Sequence, residues 1–128
     1  MTSQESKALV ERYLKAINGN VKSAKLSDEY IADSDQALKQ HIAVAEAAFP
    51  RYSLDPEDIF AEGDKVLMRF TLRGTQHGDF MGIPPTGRTV AVPGLIVYRI
   101  ADGKIAEHWI QMDNMAMLQQ LGVASQPA

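Results

Sequence analysis

The chain has 128 residues, which is enough for one domain with a sizeable core and too few for two ordinary domains, so a single domain over residues 1–128 is expected. An apolar content of 45% and a charged content of 23% exclude a disordered or collagen-like chain. The net charge of −3 argues against a nucleic-acid partner, and the absence of cysteine excludes disulfides, thiolate nucleophiles and cysteine-bound metals. No apolar run is long enough for a membrane span and the polar start lacks a secretory pattern, so a cytoplasmic protein with no membrane partner is expected.

The N-terminal segment has the pattern of an amphipathic helix. Thr2 and Glu5 match a capping box, in which each side chain bonds the backbone of the other residue. Apolar residues then recur at helical spacing as far as Ile17. The pattern predicts a first helix that ends near Asn18.

The next segment predicts a short helix or irregular turn, followed by an apolar anchor at Tyr30. A further helix is predicted from a cap at Asp33 or Ser34 to Ala48, because the residue before Pro50 is pushed out of helical geometry. His41 lies on the apolar stripe of this helix. It is interpreted either as a hydrogen-bonded core or interface histidine, or as a pocket histidine that exchanges a proton near neutral pH.

After Pro50 the apolar residues alternate, which predicts strands over 52–62, 65–75, 89–100 and 104–113. A bulge or sharp bend is expected at Pro93 and Gly94. The loop between the second and third strands presents Phe80 and Met81 on a backbone rich in Gly and Pro. This loop covers a cavity mouth in one interpretation and is a plain hairpin connection in the other.

The segment KIAEHWIQMD carries the strongest candidate site. Alternation along a strand places Glu107, Trp109, Gln111 and Asp113 on one face and His108 on the other. A row that mixes an indole, an amide and a carboxylate predicts the wall of a pocket. Asp113 also suits the N-cap of the short helix that follows, and one side chain can do both. For His108 a sheet-packing or subunit-contact role is expected.

The motifs that are missing leave few chemistries open. The chain has no P-loop, no Rossmann fingerprint and no nucleophile elbow, so no cofactor is expected. Its three histidines have no metal-ligand spacing, so no metal is expected. What remains is acid–base chemistry or ligand binding. Desolvation beside Trp109 would raise the pKa of Asp113, and Trp109, Gln111 or protonated His41 would stabilise an enolate.

Several segments together resemble the SnoaL-like ester and polyketide cyclase family of the nuclear transport factor 2-like superfamily. They are AEGDKVLMRF, RGTQHGDFMGIPPTGR, VYRIADGKIAEHW and MLQQLG. The resemblance implies an α+β conical barrel, with N-terminal helices packed on a strongly curved mixed or antiparallel sheet and a short C-terminal helix. It also implies an apolar cavity, frequent dimerisation through the sheet, and a general acid/base at Asp113 for cofactor-free intramolecular aldol chemistry.

Two functions are kept as hypotheses. The first is a cofactor-independent cyclase or isomerase in which Asp113 and His41 transfer protons on a hydrophobic carbonyl substrate, in a homodimer. The second is a non-catalytic dimeric binding domain, favoured by the apolar residues that follow Gly94, where relatives place a polar or acidic residue. The residues expected to contact the small molecule are Trp109, Gln111, Phe80, Met81, Ile96 and Tyr30.

Overall fold

The computed structural model describes residues 2–123, and in them helices come first and the sheet follows. The helices are α1 (Ser3–Ile17), α2 (Ala24–Tyr30), α3 (Gln36–Ala48) and α4 (Asn114–Leu121), with a 3₁₀ turn at Asp33–Asp35 before α3. The strands are β1 (Ser53–Glu62), β2 (Lys65–Thr75), β3 (Thr89–Ala101) and β4 (Lys104–Met112). This confirms the predicted α+β class and the predicted capping box at Thr2 and Glu5.

The four strands form an antiparallel sheet in chain order, each paired with the next. A bulge lies between Pro56 and Asp58 in β1 and another between Arg99 and Ile100 in the β3–β4 pairing. Irregularities of this kind bend a strand and increase its twist. The sheet has no crossover connection, because each strand pairs with the next one in the chain.

The bulge predicted at Pro93 and Gly94 is wrong, because the β2–β3 register runs through both residues without a shift. The β3–β4 pairing begins at Gly94 and Met112, so the missing N–H of Pro93 interrupts no pair of that ladder. Gly94 is required by packing. A Cβ atom there would lie 2.6 Å from Cζ of Phe70.

One face of the sheet is buried and the other is largely exposed. The buried face carries Val66, Met68, Phe70, Leu72, Val92, Ile96 and Tyr98. These side chains meet the apolar stripe of α1, which confirms the alternation predicted for β2. The exposed face carries large apolar side chains at Phe60, Leu67, Leu95 and Trp109.

The segment before α3 is fixed against β4. Ala32 N donates to Ile105 O at 2.8 Å, and Ser34 Oγ donates to Ala106 O at 2.8 Å. These bonds hold the segment before Gln36 out of α-helical geometry. The N-cap is Asp35, whose Oδ1 accepts from the backbone N of the third residue of α3, so the prediction of Asp33 or Ser34 as the cap is wrong by one or two residues.

A buried lysine joins the helical part to the sheet. Lys22 Nζ donates to Tyr52 O at 2.6 Å and to Asn20 O at 3.0 Å, and lies 4.0 Å from the centroid of the Tyr52 ring. Glu46 Oε1 lies 3.4 Å away. Burial lowers the pKa of Lys22, although Glu46 opposes the shift.

None of the helices described over residues 2–123 is both apolar enough and long enough to cross a membrane.

Candidate functional site

A cavity of about 520 Å³ lies between the buried sheet face, α1, α3, the start of α4 and the loop after β2. Its wall is mainly apolar and rich in aromatic rings. The aromatic residues are Tyr13, Phe49, Tyr52, Phe80 and Tyr98. The polar amide and imidazole groups among the lining residues belong to His41, Gln111 and Asn114. A mainly apolar cavity of this size with a few polar groups is typical of a small-molecule site.

The structure places five of the eight predicted site residues at this cavity. They are His41, Phe80, Met81, Ile96 and Gln111. Asp113, Trp109 and Tyr30 are not among the lining residues. The Tyr30 ring packs behind the wall, with its centroid 5.7 Å from that of the lining residue Tyr13.

The face of β4 that carries Trp109 was expected to form the cavity wall, but the Trp109 side chain points away from the cavity. Its side chain is 48% exposed on the outer sheet face, and Lys65 Nζ is 6.0 Å from its ring centroid. The cavity is lined instead by the alternate residues Ile110 and Met112. Of the predicted row Glu107, Trp109, Gln111 and Asp113, Gln111 alone is among the lining residues, so the row as a whole does not form the cavity wall. Alternation along the strand was predicted correctly, and the choice of face was wrong.

Asp113 sits at the start of α4 with an exposed side chain. Its Oδ1 accepts a hydrogen bond from Ala116 N at 2.9 Å, and its own N donates to Pro93 O at 3.1 Å. This is the geometry of an N-cap, which was one of the two interpretations of this residue. The catalytic role of Asp113 stays a prediction, and its carboxylate is outside the cavity lining.

A carboxylate–imidazole contact beside the cavity was missed from the sequence. Asp35 Oδ2 lies 2.7 Å from His108 Nδ1, and the two side chains are 6% and 8% exposed. The His41 ring meets the His108 ring edge to face, with centroids 5.8 Å apart. No sequence signal joins Asp35 to His108, because 73 positions separate them. His108 lies on the opposite face of β4 from Trp109, as alternation predicts, and there it contacts Asp35 and His41.

Three buried tyrosines form the inner part of the wall. Burial raises the pKa of Tyr13, Tyr52 and Tyr98, and neighbouring tyrosines raise those of Tyr13 and Tyr98 further. Within residues 2–123 the buried Tyr98 hydroxyl has no hydrogen-bond partner. Buried hydroxyl groups are normally paired, so this group stands out as an unused donor and acceptor next to a cavity.

The rim loop, residues 76–88, is held from its base by a buried amide. Gln76 Nε2 donates to the carbonyls of Gly78 and Ile83, both at 3.1 Å. Its Oε1 accepts from N and Oγ1 of Thr86 at 3.0 and 2.8 Å. The loop is therefore a structured part of the cavity rather than a loose connection.

At the tip of the rim loop, Phe80 and Ile83 pair through two backbone hydrogen bonds of 2.9 and 2.8 Å. The two residues between them, Met81 and Gly82, have φ angles of 48° and 86°. A left-handed conformation is unfavourable for methionine and easy for glycine. The turn points Met81 into solvent at the cavity mouth, 82% exposed, while the Phe80 ring packs at 5.4 Å on Phe49.

Over residues 2–123, no group of three or more histidine, aspartate or glutamate side chains is placed to hold a metal ion. The cavity lining in the same part of the chain also contains no carboxylate. The imidazole of His41 is thus the lining side chain of the type that most often serves as a general base.

Comparisons with known proteins identify the family. TsrD from Streptomyces laurentii is 27% identical, with a TM-score of 0.82 over 97% of this chain and 99% of that chain. AclR from Streptomyces galilaeus is 26% identical, with a TM-score of 0.85 over 99% and 87%. A SnoaL-like polyketide cyclase from Agrobacterium tumefaciens, at 19% identity and a TM-score of 0.75 over 95% and 99%, shares the fold.

The search of curated proteins finds no match. The sequence model described as SnoaL-like polyketide cyclase matches residues 7–121, which is most of the chain, and the solved structures confirm the cone-type α+β fold expected from the sequence. The chain belongs to the SnoaL-like polyketide cyclase family.

Proposed function

We propose that the cavity binds a hydrophobic carbonyl compound and that the chain is a cofactor-independent acid–base catalyst of the cyclase or isomerase type. The observation that carries this proposal is a mainly apolar cavity of about 520 Å³ with an imidazole, His41, in its wall. Family membership supports the substrate class, because polyketide cyclases act on molecules with several carbonyl groups.

In the proposed reaction, neutral His41 removes a proton from the carbon next to a substrate carbonyl. The C–H electron pair moves into the new C=C bond of an enolate, and the carbonyl oxygen takes the negative charge. The enolate carbon then attacks a second carbonyl of the same molecule, and the oxygen of that carbonyl takes the proton from the His41 imidazolium. In an isomerisation, a different carbon of a conjugated enolate takes that proton instead. A positioned base of this kind contributes roughly 10²–10⁴ in rate. Gln111 and Asn114 are among the lining residues, and an amide N–H of either supports the proposal as a donor to the enolate oxygen.

A non-catalytic binding domain is the second candidate. It is favoured by the apolar centre of the cavity wall, where Ile96 pairs with Ile110 across β3 and β4, and by the lack of a lining carboxylate over residues 2–123. Such a wall binds a ligand by burying apolar area and does not by itself supply a base. In that case the protein binds the carbonyl compound and returns it unchanged.

The deciding experiment follows exchange of the acidic C–H protons of an aromatic 1,3-diketone with deuterium from the solvent by NMR. His41→Gln is compared with Asp113→Asn, because asparagine is as good an N-cap as aspartate. We expect His41→Gln to lower the protein-dependent rate at least about 10²-fold with the diketone still bound, and Asp113→Asn to leave it unchanged.

The opposite pattern, with the rate lost in Asp113→Asn and kept in His41→Gln, would restore the prediction made for Asp113. Tight binding of the diketone by the wild type, without any acceleration of exchange over buffer, would favour the binding domain. Thermal shifts of each variant with and without the diketone establish that both variants are folded and occupied.

We also propose that the outer sheet face pairs with a second copy of the chain. Large apolar side chains are exposed there at Phe60, Leu67 and Trp109. Ion pairs border them, among them Arg99 with Glu107 at 2.9 Å. An apolar face edged by both signs of charge is suited to isologous pairing.

Sedimentation should give the dimer mass for the wild type and the monomer mass for Leu67→Lys. A monomeric wild type at high concentration contradicts this proposal.

A further inference from the structure

Asp35 has two separate contacts, one for each carboxylate oxygen. Oδ1 accepts from Leu38 N at 3.1 Å and caps α3, whereas Oδ2 contacts His108 Nδ1 at 2.7 Å. The second contact is not needed for the cap. Its length is that of a charge-assisted hydrogen bond, and both side chains are nearly excluded from solvent.

The contact determines the state of the His108 ring. A carboxylate at Nδ1 requires a proton on that nitrogen, so the neutral ring carries its lone pair on Nε2. Nε2 takes no part in the contact with Asp35. The ring itself cannot turn freely, because Asp35 is held by the cap and by the docking of Ala32 and Ser34 on β4.

His41 lies directly beside this fixed ring, on α3, and lines the cavity. Its ring meets that of His108 nearly perpendicular, at an interplanar angle of 82°. Edge-to-face packing of this kind restricts ring rotation. The Asp35 carboxylate therefore contacts the His108 ring, the His108 ring contacts the His41 ring, and His41 lines the cavity.

We propose that Asp35 and His108 are positioning residues for proton transfer by His41: Asp35 fixes the tautomer and orientation of His108, and His108 fixes the His41 ring at the cavity wall. This inference rests on the proposed function for its chemical purpose. Its structural part, the coupling of the three side chains, holds or fails independently of any turnover.

The other titratable groups around the three side chains are accounted for. Tyr13 of α1 and Tyr98 of β3 face this region, and burial raises the pKa of each, so both stay neutral near pH 7. Lys39 of α3 is engaged by Asp33 at 2.8 Å and by Asp28 at 2.9 Å. The Asp35 carboxylate is thus the charge that acts on His108 at short range.

The test is Asp35→Asn, which keeps a side-chain oxygen for the cap and removes the negative charge beside His108. Nitrogen-detected NMR of the ligand-free protein follows the chain's three histidines, with His77 in an exposed loop as the internal reference. Wild-type His108 is expected as the Nδ1–H tautomer. In Asp35→Asn we expect the nitrogen signals of both His108 and His41 to change, with those of His77 constant.

Ser34→Ala is the matched control, because it removes the adjacent bond to Ala106 and leaves the carboxylate in place. It should change neither His41 nor His108. In the deuterium-exchange assay Asp35→Asn should lower the rate by about tenfold, on the scale of lost orientation of a base, with diketone affinity retained.

Unchanged His41 and His108 signals in folded Asp35→Asn, or the same changes in Ser34→Ala, would overturn the inference. If the wild type shows the coupled histidine signals but no exchange of the diketone, the proposed function fails while the positioning of His41 stands. If exchange is normal in Asp35→Asn, the proposed function stands and the positioning role fails.

Discussion

The starts of α3 and α4 have the same cap and different surroundings. Asp35 accepts from Leu38 N at 3.1 Å, and Asp113 accepts from Ala116 N at 2.9 Å. Asp113 is exposed, whereas Asp35 is 6% exposed and its second oxygen contacts His108. Capping occupies one carboxylate oxygen, and burial decides whether the other oxygen meets water or a second side chain.

The comparison teaches that the role of a carboxylate at the start of a predicted helix cannot be assigned until its burial is known. Asp113 was predicted as a site residue because it follows a tryptophan-bearing strand. Asp35 was not, because it lies in a short polar turn. The predictions that follow are ways to break or sharpen this contrast.

The largest effect is expected for Asp35→Ala, which should lower the free energy of unfolding by about 3–5 kcal/mol. It removes the cap and leaves the imidazole of a buried pair without its partner. Urea unfolding at pH 7 measures the loss, with Asp113→Ala as the matched control. Equal losses in the two variants would mean that the Asp35–His108 contact contributes nothing to stability.

The buried tyrosines should also make the free energy of unfolding fall at alkaline pH. Burial raises the pKa values of Tyr13, Tyr52 and Tyr98 in the folded state, so above pH 10 the unfolded chain loses protons that the folded chain keeps. Stability is then fully present below pH 10 and falls above it, by up to about 1.4 kcal/mol per pH unit for each tyrosine. Lys22 acts oppositely, because its lowered pKa makes stability rise with pH until the unfolded lysine has lost its proton near pH 10.5.

Tyr98→Phe isolates one of these contributions, since the Tyr98 hydroxyl has no hydrogen-bond partner over residues 2–123. At pH 11 the wild type should have lost about 1 kcal/mol more, relative to pH 8, than this variant has. Urea unfolding at both pH values measures the difference. Parallel pH profiles would show that Tyr98 ionises in the folded protein as easily as in the unfolded one.

On the exposed side, Asp113→Ala should lower the free energy of unfolding by only about 1 kcal/mol, the usual size of a lost cap. Asp113→Asn should be within a few tenths of a kcal/mol of the wild type, because asparagine caps equally well. The same urea experiment measures both. A loss of several kcal/mol in Asp113→Asn would show that the charge of Asp113 has a role beyond the cap.

The smallest change in stability is expected at the cavity mouth. Met81→Gly relieves a left-handed methionine and adds freedom to the unfolded chain, so the net change should be within about 1 kcal/mol. Affinity for the aromatic diketone should fall, because the Met81 side chain lines the mouth. Calorimetric titration measures the affinity; an unchanged value would remove Met81 from the binding surface.

Much of the fold was predictable because its signals are local. The capping box at Thr2 and Glu5, the alternation of β2 and the glycine after α4 each depend on neighbouring residues alone. The start of α3 was misplaced because the preceding turn is held by hydrogen bonds to Ile105 and Ala106, which are more than 70 positions away.

The site was predictable only in part. His41 was found because it lies beside the buried residues Leu38 and Ile42 on one side of α3, although His41 itself is exposed at the cavity. The inner face of β4 was not found, because alternation defines two faces without saying which one is covered. Trp109 favoured the wrong face, although Ile110 and Met112 on the other face were an equally apolar signal.

The way the rim loop is attached has a consequence for changing what the protein recognises. Because the Gln76 amide holds both ends of the loop, the tip around Met81 can vary in sequence while the sheet and helices stay the same. A directed-evolution library confined to residues 79–82 would therefore sample new ligand selectivities with few unfolded members. Randomising Gln76 in the same library would remove these hydrogen bonds, and more members of the library would be unfolded.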